Sequence, residues 1–124
     1  MRNQNELTRG EEEIMHILWK LGKGTIGDVI ELMEEPKPKY TTVATFFKIL
    51  ENKAFIARET KGRGYIYTPT VEREEYAKGI AKNMLHSYFD GSVSNMVSFF
   101  SKHESLSVQE LDQIYEIIEK IKNK

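Results

Sequence analysis

Residues 36–69 read PKPKYTTVATFFKILENKAFIARETKGRGYIYTP. The prolines favour an extended lead-in, and a helix rich in threonine and lysine at its start is predicted after Lys39 and Tyr40. Two runs of aromatic and β-branched residues, 55–58 and 65–68, flank the sequence KGRG and predict a β-hairpin with a tight turn. A helix followed by a hairpin in this order is typical of a recognition helix and its wing.

Two further helices are predicted upstream of this stretch. Thr8 and Glu11 fit a capping box, and apolar residues then recur at helical spacing. A glycine-rich break follows, after which Thr25 and Asp28 can cap a second, short helix. Three helices and a hairpin predict a winged helix-turn-helix domain over residues 1–70.

Positive charge is concentrated in the middle of the chain. Residues 36–70 carry seven Lys/Arg against two acids, a net charge of +5, whereas the net charge of the whole chain is −1. A basic surface on a nearly neutral protein is where a polyanion docks. We therefore predict that double-stranded DNA contacts this segment through Lys39, Tyr40, Thr41, Thr42, Ala44, Thr45, Lys48, Lys61 and Arg63.

Residues 71–124 have a different character. They carry seven Lys/Arg and nine Asp/Glu, a net charge of −2 that disfavours binding to nucleic acid. Three helices are predicted there, and little else in the chain remains to cover their apolar stripes. We predict a helical region that forms a homodimer through Tyr76, Ile80, Met84, Leu85, Tyr88, Phe89, Leu111, Ile114, Ile118 and Ile121. The predicted fold is thus mostly α with a small β-wing: a winged helix-turn-helix domain followed by a C-terminal helical dimerisation region.

Composition argues against several classes of protein. The chain has no cysteine, so disulfides and thiolate metal sites are ruled out. No apolar run approaches the roughly 18–20 residues that span a bilayer, and the first residues lack the apolar core of a signal peptide, so we expect a cytoplasmic protein without membrane insertion. Glu13 and His16 have the spacing of a carboxylate-bridged metal helix but lack its second copy. We expect neither an enzyme nor a cofactor.

Several short motifs occur in a fixed order along nearly the whole chain. They are ILWKLGKGTIGDVIELM, then YTTVATFFKILENKAFI with a following Gly-Tyr-Ile-Tyr, and a tail with Phe-Asp-Gly and SFFSK. In these motifs the chain resembles the BlaI/MecI family of penicillinase repressors. The resemblance implies a dimeric repressor on a palindromic operator that controls β-lactamase or related resistance or stress genes.

The resemblance also implies roles for particular residues. The family's DNA contacts at the start of the recognition helix and in the wing fall on Thr41, Thr42, Ala44, Thr45 and Arg63. Where relatives commonly have an arginine, Ile49 precedes the leucine of this helix, so Lys39 and Lys48 supply its basic character. In the family, a membrane sensor with a zinc-protease domain triggers cleavage of an Asn-Phe bond in the tail. That bond aligns with Phe99-Phe100, which lacks the asparagine.

Two functional classes stay open at this level. The first is a DNA-binding transcriptional repressor. The second is a winged-helix protein-interaction module without a DNA target, since the fold alone does not determine function. A steep fall of DNA affinity with ionic strength would distinguish the first from the second.

Overall fold

The computed structural model describes residues 6–103 and 106–124, which form six helices and one two-stranded antiparallel sheet. The elements are α1 (Arg9–Leu21), α2 (Ile26–Glu31), α3 (Tyr40–Asn52), β1 (Ile56–Lys61), β2 (Gly64–Pro69), α4 (Arg73–Phe89), α5 (Val93–His103) and α6 (Val108–Lys122). The predicted fold class, mostly α with a small β-wing in a winged helix-turn-helix domain and a helical C-terminal region, is confirmed. Two compact units divide the chain, one reaching to Ile80 and the other running from Ala81 to Lys124.

The first two helices begin at the caps that the sequence predicts. The Thr8 hydroxyl accepts a hydrogen bond from the Glu11 N–H, and the Glu11 carboxylate accepts one from the Thr8 N–H at 3.1 Å. Thr25 and Asp28 form the same reciprocal pair at the start of α2. Each pair satisfies two backbone donors that a helix start leaves free, which fixes where the helix begins.

The core of the first unit lies between the three N-terminal helices and the hairpin. It is built from Leu7, Ile14, Met15, Leu18, Ile26, Val29, Val43, Phe47, Leu50, Phe55, Ile56 and Tyr67. From α3 it takes only Val43, Phe47 and Leu50, which recur at helical spacing and leave the opposite face to solvent. Trp19, Val71 and Tyr76 pack against its edge. The first two turns of α4 therefore belong to the first unit, although the sequence analysis assigned them to the dimerisation region.

The hairpin is tight and is attached to the loop before α2. Lys61 pairs with Gly64 across the strands, which leaves Gly62 and Arg63 as a two-residue turn. Gly62 has a φ of 62°, a conformation that glycine adopts without a steric penalty. Gly24 and Tyr67 exchange backbone hydrogen bonds of 3.0 and 2.8 Å, so the wing is held against the helices by main-chain contacts as well as by side chains.

A buried ion pair joins the start of α1 to the end of α3. The Lys53 ammonium lies 2.6 Å from a carboxylate oxygen of Glu11, whose side chain is 4% exposed. Burial alone would raise the pKa of Glu11. The hydrogen bonds from Lys53 and Thr8, together with the charge of the ammonium, outweigh burial and hold this pKa below its usual value.

The second unit consists of the rest of α4 with α5 and α6. Asp90 and Gly91 have φ angles of 54° and 75°, a left-handed conformation that ends α4. The Ser107 hydroxyl accepts from the Glu110 N–H and caps α6. Among the described residues from Ala81 onward, no side chain is buried. None of the helices in the described ranges is long and apolar enough to cross a membrane.

We predict that Lys53→Met lowers the free energy of unfolding by about 2–4 kcal/mol, because it leaves the buried Glu11 carboxylate without its cation. Urea unfolding at neutral pH measures this change. Lys48→Met is the matched control: it removes an exposed lysine of α3 and should change the free energy by no more than about 0.5 kcal/mol.

Because of the Glu11–Lys53 ion pair, the difference in free energy of unfolding between wild type and Lys53→Met should also depend on pH. A carboxylate with a lowered folded-state pKa stabilises the fold fully above its unfolded-state pKa of about 4.3 and loses that effect as the pH falls through the folded value. The difference should therefore shrink in acid. A difference that stayed constant from pH 7 to pH 3 would contradict an ion pair at this position.

Candidate nucleic-acid interface

The solvent side of α3 is formed by small hydroxyl side chains and one lysine. Thr41, Thr45 and Lys48 are exposed on the side opposite the three core residues, and Thr42 is exposed on the flank of the helix, beside a cavity that Val43 and Phe46 also line. We call these four residues the outer face. The Thr45 hydroxyl donates to the Thr41 carbonyl at 2.9 Å, so its oxygen remains available as an acceptor beside its methyl group. Ala44, predicted as a contact, is half-buried because it packs against the core.

The start of α3 and the wing line a common cleft of about 450 Å³. Tyr40 comes from the first residue of α3, and Lys61, Arg63 and Tyr65 come from the hairpin. Tyr40 is 60% exposed, and its ring is not part of the core cluster. The structure thus brings together predicted contacts that lie more than twenty positions apart in sequence.

Three of the seven cations in the basic segment are used within the protein. The Lys37 ammonium donates to the carbonyls of Ile30, Glu31 and Met33 at 2.8–3.1 Å and so caps the C-terminal end of α2. Lys53 pairs with Glu11, as described above. Arg58 lies 3.2 Å from the Glu51 carboxylate and 4.4 Å from the centre of the Tyr65 ring. These contacts hold the scaffold together and compete with any external anion.

The other four cations have no such partner. In the part of the chain that the structure describes, no carboxylate lies within 4 Å of Lys39, Lys48, Lys61 or Arg63, and all four side chains are exposed. We call them the unpaired cations. They are the same four that the sequence analysis selected. They occupy the start and outer face of α3 and the tip of the wing, so one basic surface links the helix to the hairpin.

Lys37, Lys53 and Arg58 contribute to the charge of the basic segment in the sequence, and only the structure shows their internal contacts. A lysine a few residues beyond a helix end is a signal for C-capping that could have identified Lys37. Nothing local marks Lys53, because its partner lies 42 positions away. The internally engaged cations and the unpaired cations can be told apart by their distances to carboxylates and carbonyls, but not by the composition of the segment.

Glu13 and His16, which have metal-helix spacing, do not come together with further ligands. His16 lies 3.4 Å from Glu12, the residue before Glu13, and packs edge-on against Trp19. Across residues 6–103 and 106–124, no group of three or more His, Asp or Glu side chains is arranged to hold a metal ion.

Most residues predicted to form the dimer contact lie in the second unit. Met84, Tyr88, Leu111, Ile118 and Ile121 are exposed, with Tyr88 at 79%, and Leu85, Phe89 and Ile114 are partly exposed. Ile80 is half-buried at the end of the first unit. Tyr76 differs from the others, because its ring packs within the first unit. The dimer contact itself remains a prediction.

Phe99 and Phe100, the predicted cleavage position, lie within α5. Their side chains are 46% and 40% exposed, and the Phe99 ring packs edge-on against Phe89 at 5.5 Å and lies 4.4 Å from the ring of His103. The bond between them is part of a continuous helix, so a protease would need this turn to unwind. Cleavage here also remains a prediction.

Comparison with known proteins places this interface in a family context. The family model described as penicillinase repressor matches residues 7–120. The chain is 26% identical over 125 residues to the penicillinase repressor of Bacillus licheniformis, covering all of this chain and 98% of that protein. It is 27% identical over 118 residues to the methicillin resistance regulatory protein MecI of Staphylococcus aureus strain N315, covering 93% of this chain and 94% of MecI.

Two solved structures share the fold of the first unit. The solution structure of the DNA-binding domain of the repressor BlaI has a TM-score of 0.52 at 26% identity, and it covers 61% of this chain and 94% of that one. The monomeric form of Bacillus licheniformis BlaI, solved in complex with the blaP half-operator, has a TM-score of 0.50 at 23% identity with the same coverage. At that identity, the second match supports the fold alone.

We predict that Lys61→Ala and Arg63→Ala weaken binding to specific and random DNA about equally. A cation that neutralises one phosphate contributes about 0.9 to the slope of log affinity against log salt, so each variant should flatten the slope by about that amount. Fluorescence anisotropy at several salt concentrations measures this slope.

Arg58→Ala is the matched control for the wing variants. It removes a cation from the same hairpin, but one that is already paired with Glu51, so the slope should stay at the wild-type value. If Arg63→Ala changed the preferred base sequence rather than the slope, the wing would enter a groove and its assignment to the phosphates would be wrong.

Proposed function

We propose that this chain, which belongs to the penicillinase repressor family, represses transcription as a homodimer bound to a palindromic operator. The family is one of DNA-binding repressors, and membership confirms the prediction that the chain is not an enzyme. The observation that carries the proposal is the single surface formed by the outer face of α3 and the unpaired cations. Such a protein would act in the cytoplasm, where the DNA is.

In this proposal α3 enters the major groove. A recognition helix reads base edges with the side chains near its N-terminal end, which here are Thr41, Thr42 and Thr45. Threonine can donate or accept a hydrogen bond and can contact the thymine methyl group. Since Thr45 already donates its proton to the Thr41 carbonyl, we expect it to act as an acceptor and as a methyl contact.

The unpaired cations would position this helix. Lys39 precedes α3, Lys48 lies on its outer face, and Lys61 and Arg63 flank and form the hairpin turn. Phosphate contacts of this kind set the register of a protein on the duplex and supply the salt-dependent part of the affinity. In a two-fold symmetric dimer, each chain would then occupy one half-site of the operator.

Dimerisation would come from the second unit. Its exposed apolar residues, among them Tyr88, Leu111 and Ile121, are of the kind that a second copy buries. Two linked recognition helices bind two half-sites with an affinity far above that of one helix, because the second contact forms at a high effective concentration. A palindrome is the sequence that such a two-fold symmetric dimer recognises.

Release would follow from loss of the dimer. A cut between Phe99 and Phe100 would detach α6 from the rest of the chain. Each subunit would keep its recognition helix but would no longer be linked to a second one on the other half-site. Family membership supports this route and supports β-lactamase or related resistance or stress genes as targets. The cleaving partner would be a protease linked to a membrane sensor.

We predict that Thr42→Ala and Thr45→Ala weaken operator binding by about 1 kcal/mol each, with no loss of thermal stability, because both side chains face solvent. Affinity for the operator and for random DNA is compared at one salt concentration. Thr68→Ala, an exposed threonine on β2, is the control and should bind like the wild type. Equal operator affinity for all three variants would remove α3 from the reading role. No binding to DNA at any salt would favour the protein-interaction module.

The dimer is tested by a chain that ends at residue 98. It lacks the end of α5 and all of α6, so it should sediment as a monomer and bind an isolated half-site as well as the intact chain does. Ile118→Asp in the intact chain should weaken the dimer as well, whereas Gln109→Asp, at an exposed position in the first turn of α6, should not. If the shortened chain sedimented as a dimer and held the full operator, the tail would not be the dimerisation element.

A further inference from the structure

The first turns of α4, and the segment between the wing and α4, are hydrogen-bonded to three other parts of the first unit. The Trp19 indole N–H donates to the Val71 carbonyl at 2.8 Å. The Thr70 N–H donates to the Phe55 carbonyl, also at 2.8 Å. The Leu7 N–H, 69 positions before its acceptor, donates to the Tyr76 hydroxyl at 2.8 Å. The start of α4 is therefore tied to the N-terminal arm, to α1 and to the base of the hairpin.

Aromatic packing strengthens this attachment. The Tyr76 ring lies 5.9 Å from the ring of Trp19 and 5.7 Å, edge-on, from that of Phe55. Leu7 and Phe55 are 5% and 3% exposed, so the contacts lie at the edge of the core rather than on the surface. We call Leu7, Trp19, Phe55 and Tyr76 the latch. Burial and the nearby carboxylates of Glu12 and Glu6 raise the pKa of Tyr76, so its hydroxyl stays neutral.

The latch is directly connected to the recognition helix. Phe55 follows the end of α3 by three positions, and its N–H donates to the carbonyl of Leu50 in that helix at 2.9 Å. Trp19 lies on α1, which is joined to the end of α3 by the Glu11–Lys53 pair. The first two turns of α4, up to Ile80, thus have a fixed direction relative to the helix proposed to read DNA.

We propose that the latch is a specificity device: by fixing the first turns of α4 on the DNA-binding unit, it makes affinity for a palindrome depend on the distance between its half-sites. The inference rests on the proposed function as a dimer on DNA. A flexible connection would let two recognition helices reach half-sites over a range of spacings at similar effective concentration. When the start of α4 is held on the DNA-binding unit, the two recognition helices can reach a narrower range of half-site spacings. Tyr76 is then a positioning residue, whereas the sequence pattern had placed it in the dimer contact.

The test uses half-sites recovered by in vitro selection with the wild-type protein. Palindromes are built from that half-site with the central spacer lengthened or shortened one base pair at a time, and binding of the full-length dimer to each is measured. We expect the wild type to lose about tenfold in affinity when the spacer changes by two base pairs. Tyr76→Phe, which removes the acceptor of the Leu7 N–H, should reduce that loss to about threefold, and Tyr76→Leu, which also removes the ring, should reduce it further.

Tyr88→Phe is the matched control. It removes a hydroxyl from the same helix at a side chain that is 79% exposed, and its spacing profile should match that of the wild type. Affinity for an isolated half-site and the dimer dissociation constant should be unchanged in all three variants. A change in half-site affinity would show that Tyr76 acts on the recognition helix itself, and a change in dimer dissociation would return it to the dimer contact. Either result overturns the proposal.

Opening of the latch is measured separately. Exchange of the Leu7 amide should accelerate at least about tenfold in Tyr76→Phe, and the indole N–H signal of Trp19, the only tryptophan, should shift. An opened latch with an unchanged spacing profile would overturn the proposal, as would a wild-type dimer that binds all spacings equally. In both cases the proposed function would stand. Failure of the wild type to dimerise or to select any half-site would instead remove the proposed function and the latch proposal together.

Discussion

The Glu11 carboxylate is the interaction on which the first unit depends. One of its oxygens accepts both the Thr8 N–H, which begins α1, and the Lys53 ammonium, which follows α3. A buried charge is costly unless it is paired and hydrogen-bonded, so the carboxylate strongly favours the one arrangement that supplies both partners. Because Lys53 also stands at the C-terminal end of α3, its charge interacts favourably with the helix dipole. Together with the core packing of α1 and α3, this contact holds the end of α3 against the start of α1.

The basic segment shows how one residue type serves two purposes. Lys37, Lys53 and Arg58 satisfy helix carbonyls and carboxylates, and they build the scaffold. Lys39 and Lys48, like the two cations at the wing, keep their charge for an external partner because no acid lies near them in the described structure. This separation matters physically, since an ammonium that already donates to a buried carboxylate gains little from a phosphate. A count of Lys and Arg residues therefore overstates how many side chains are available to an external anion. The distances to carboxylates and carbonyls show which ones are already engaged.

The two units differ in how well they cover their own apolar groups. The first buries twelve hydrophobic residues in one cluster, whereas residues 81–103 and 106–124 bury none. A helical segment of this size has too little interior to cover its own apolar side chains. Such a unit gains stability when another surface covers it, which accounts for the apolar stripes seen in the sequence. Tyr76 lies near the C-terminal end of the first unit, and its ring is covered by Trp19 and Phe55 of the same unit.

The sequence by itself determined the features that depend on near neighbours. The capping boxes at Thr8 and Thr25 join residues three positions apart, and the hairpin turn at Gly62 needs only two, so local pattern was enough to place the helices, the wing and the exposed threonines. Only the tertiary structure decided that Lys53 pairs with Glu11, that Gly24 bonds to Tyr67, and that Tyr76 bonds to Leu7 within the first unit. These contacts join residues more than forty positions apart. Their partners are chosen by the packing of several elements at once, which no spacing within a single element records.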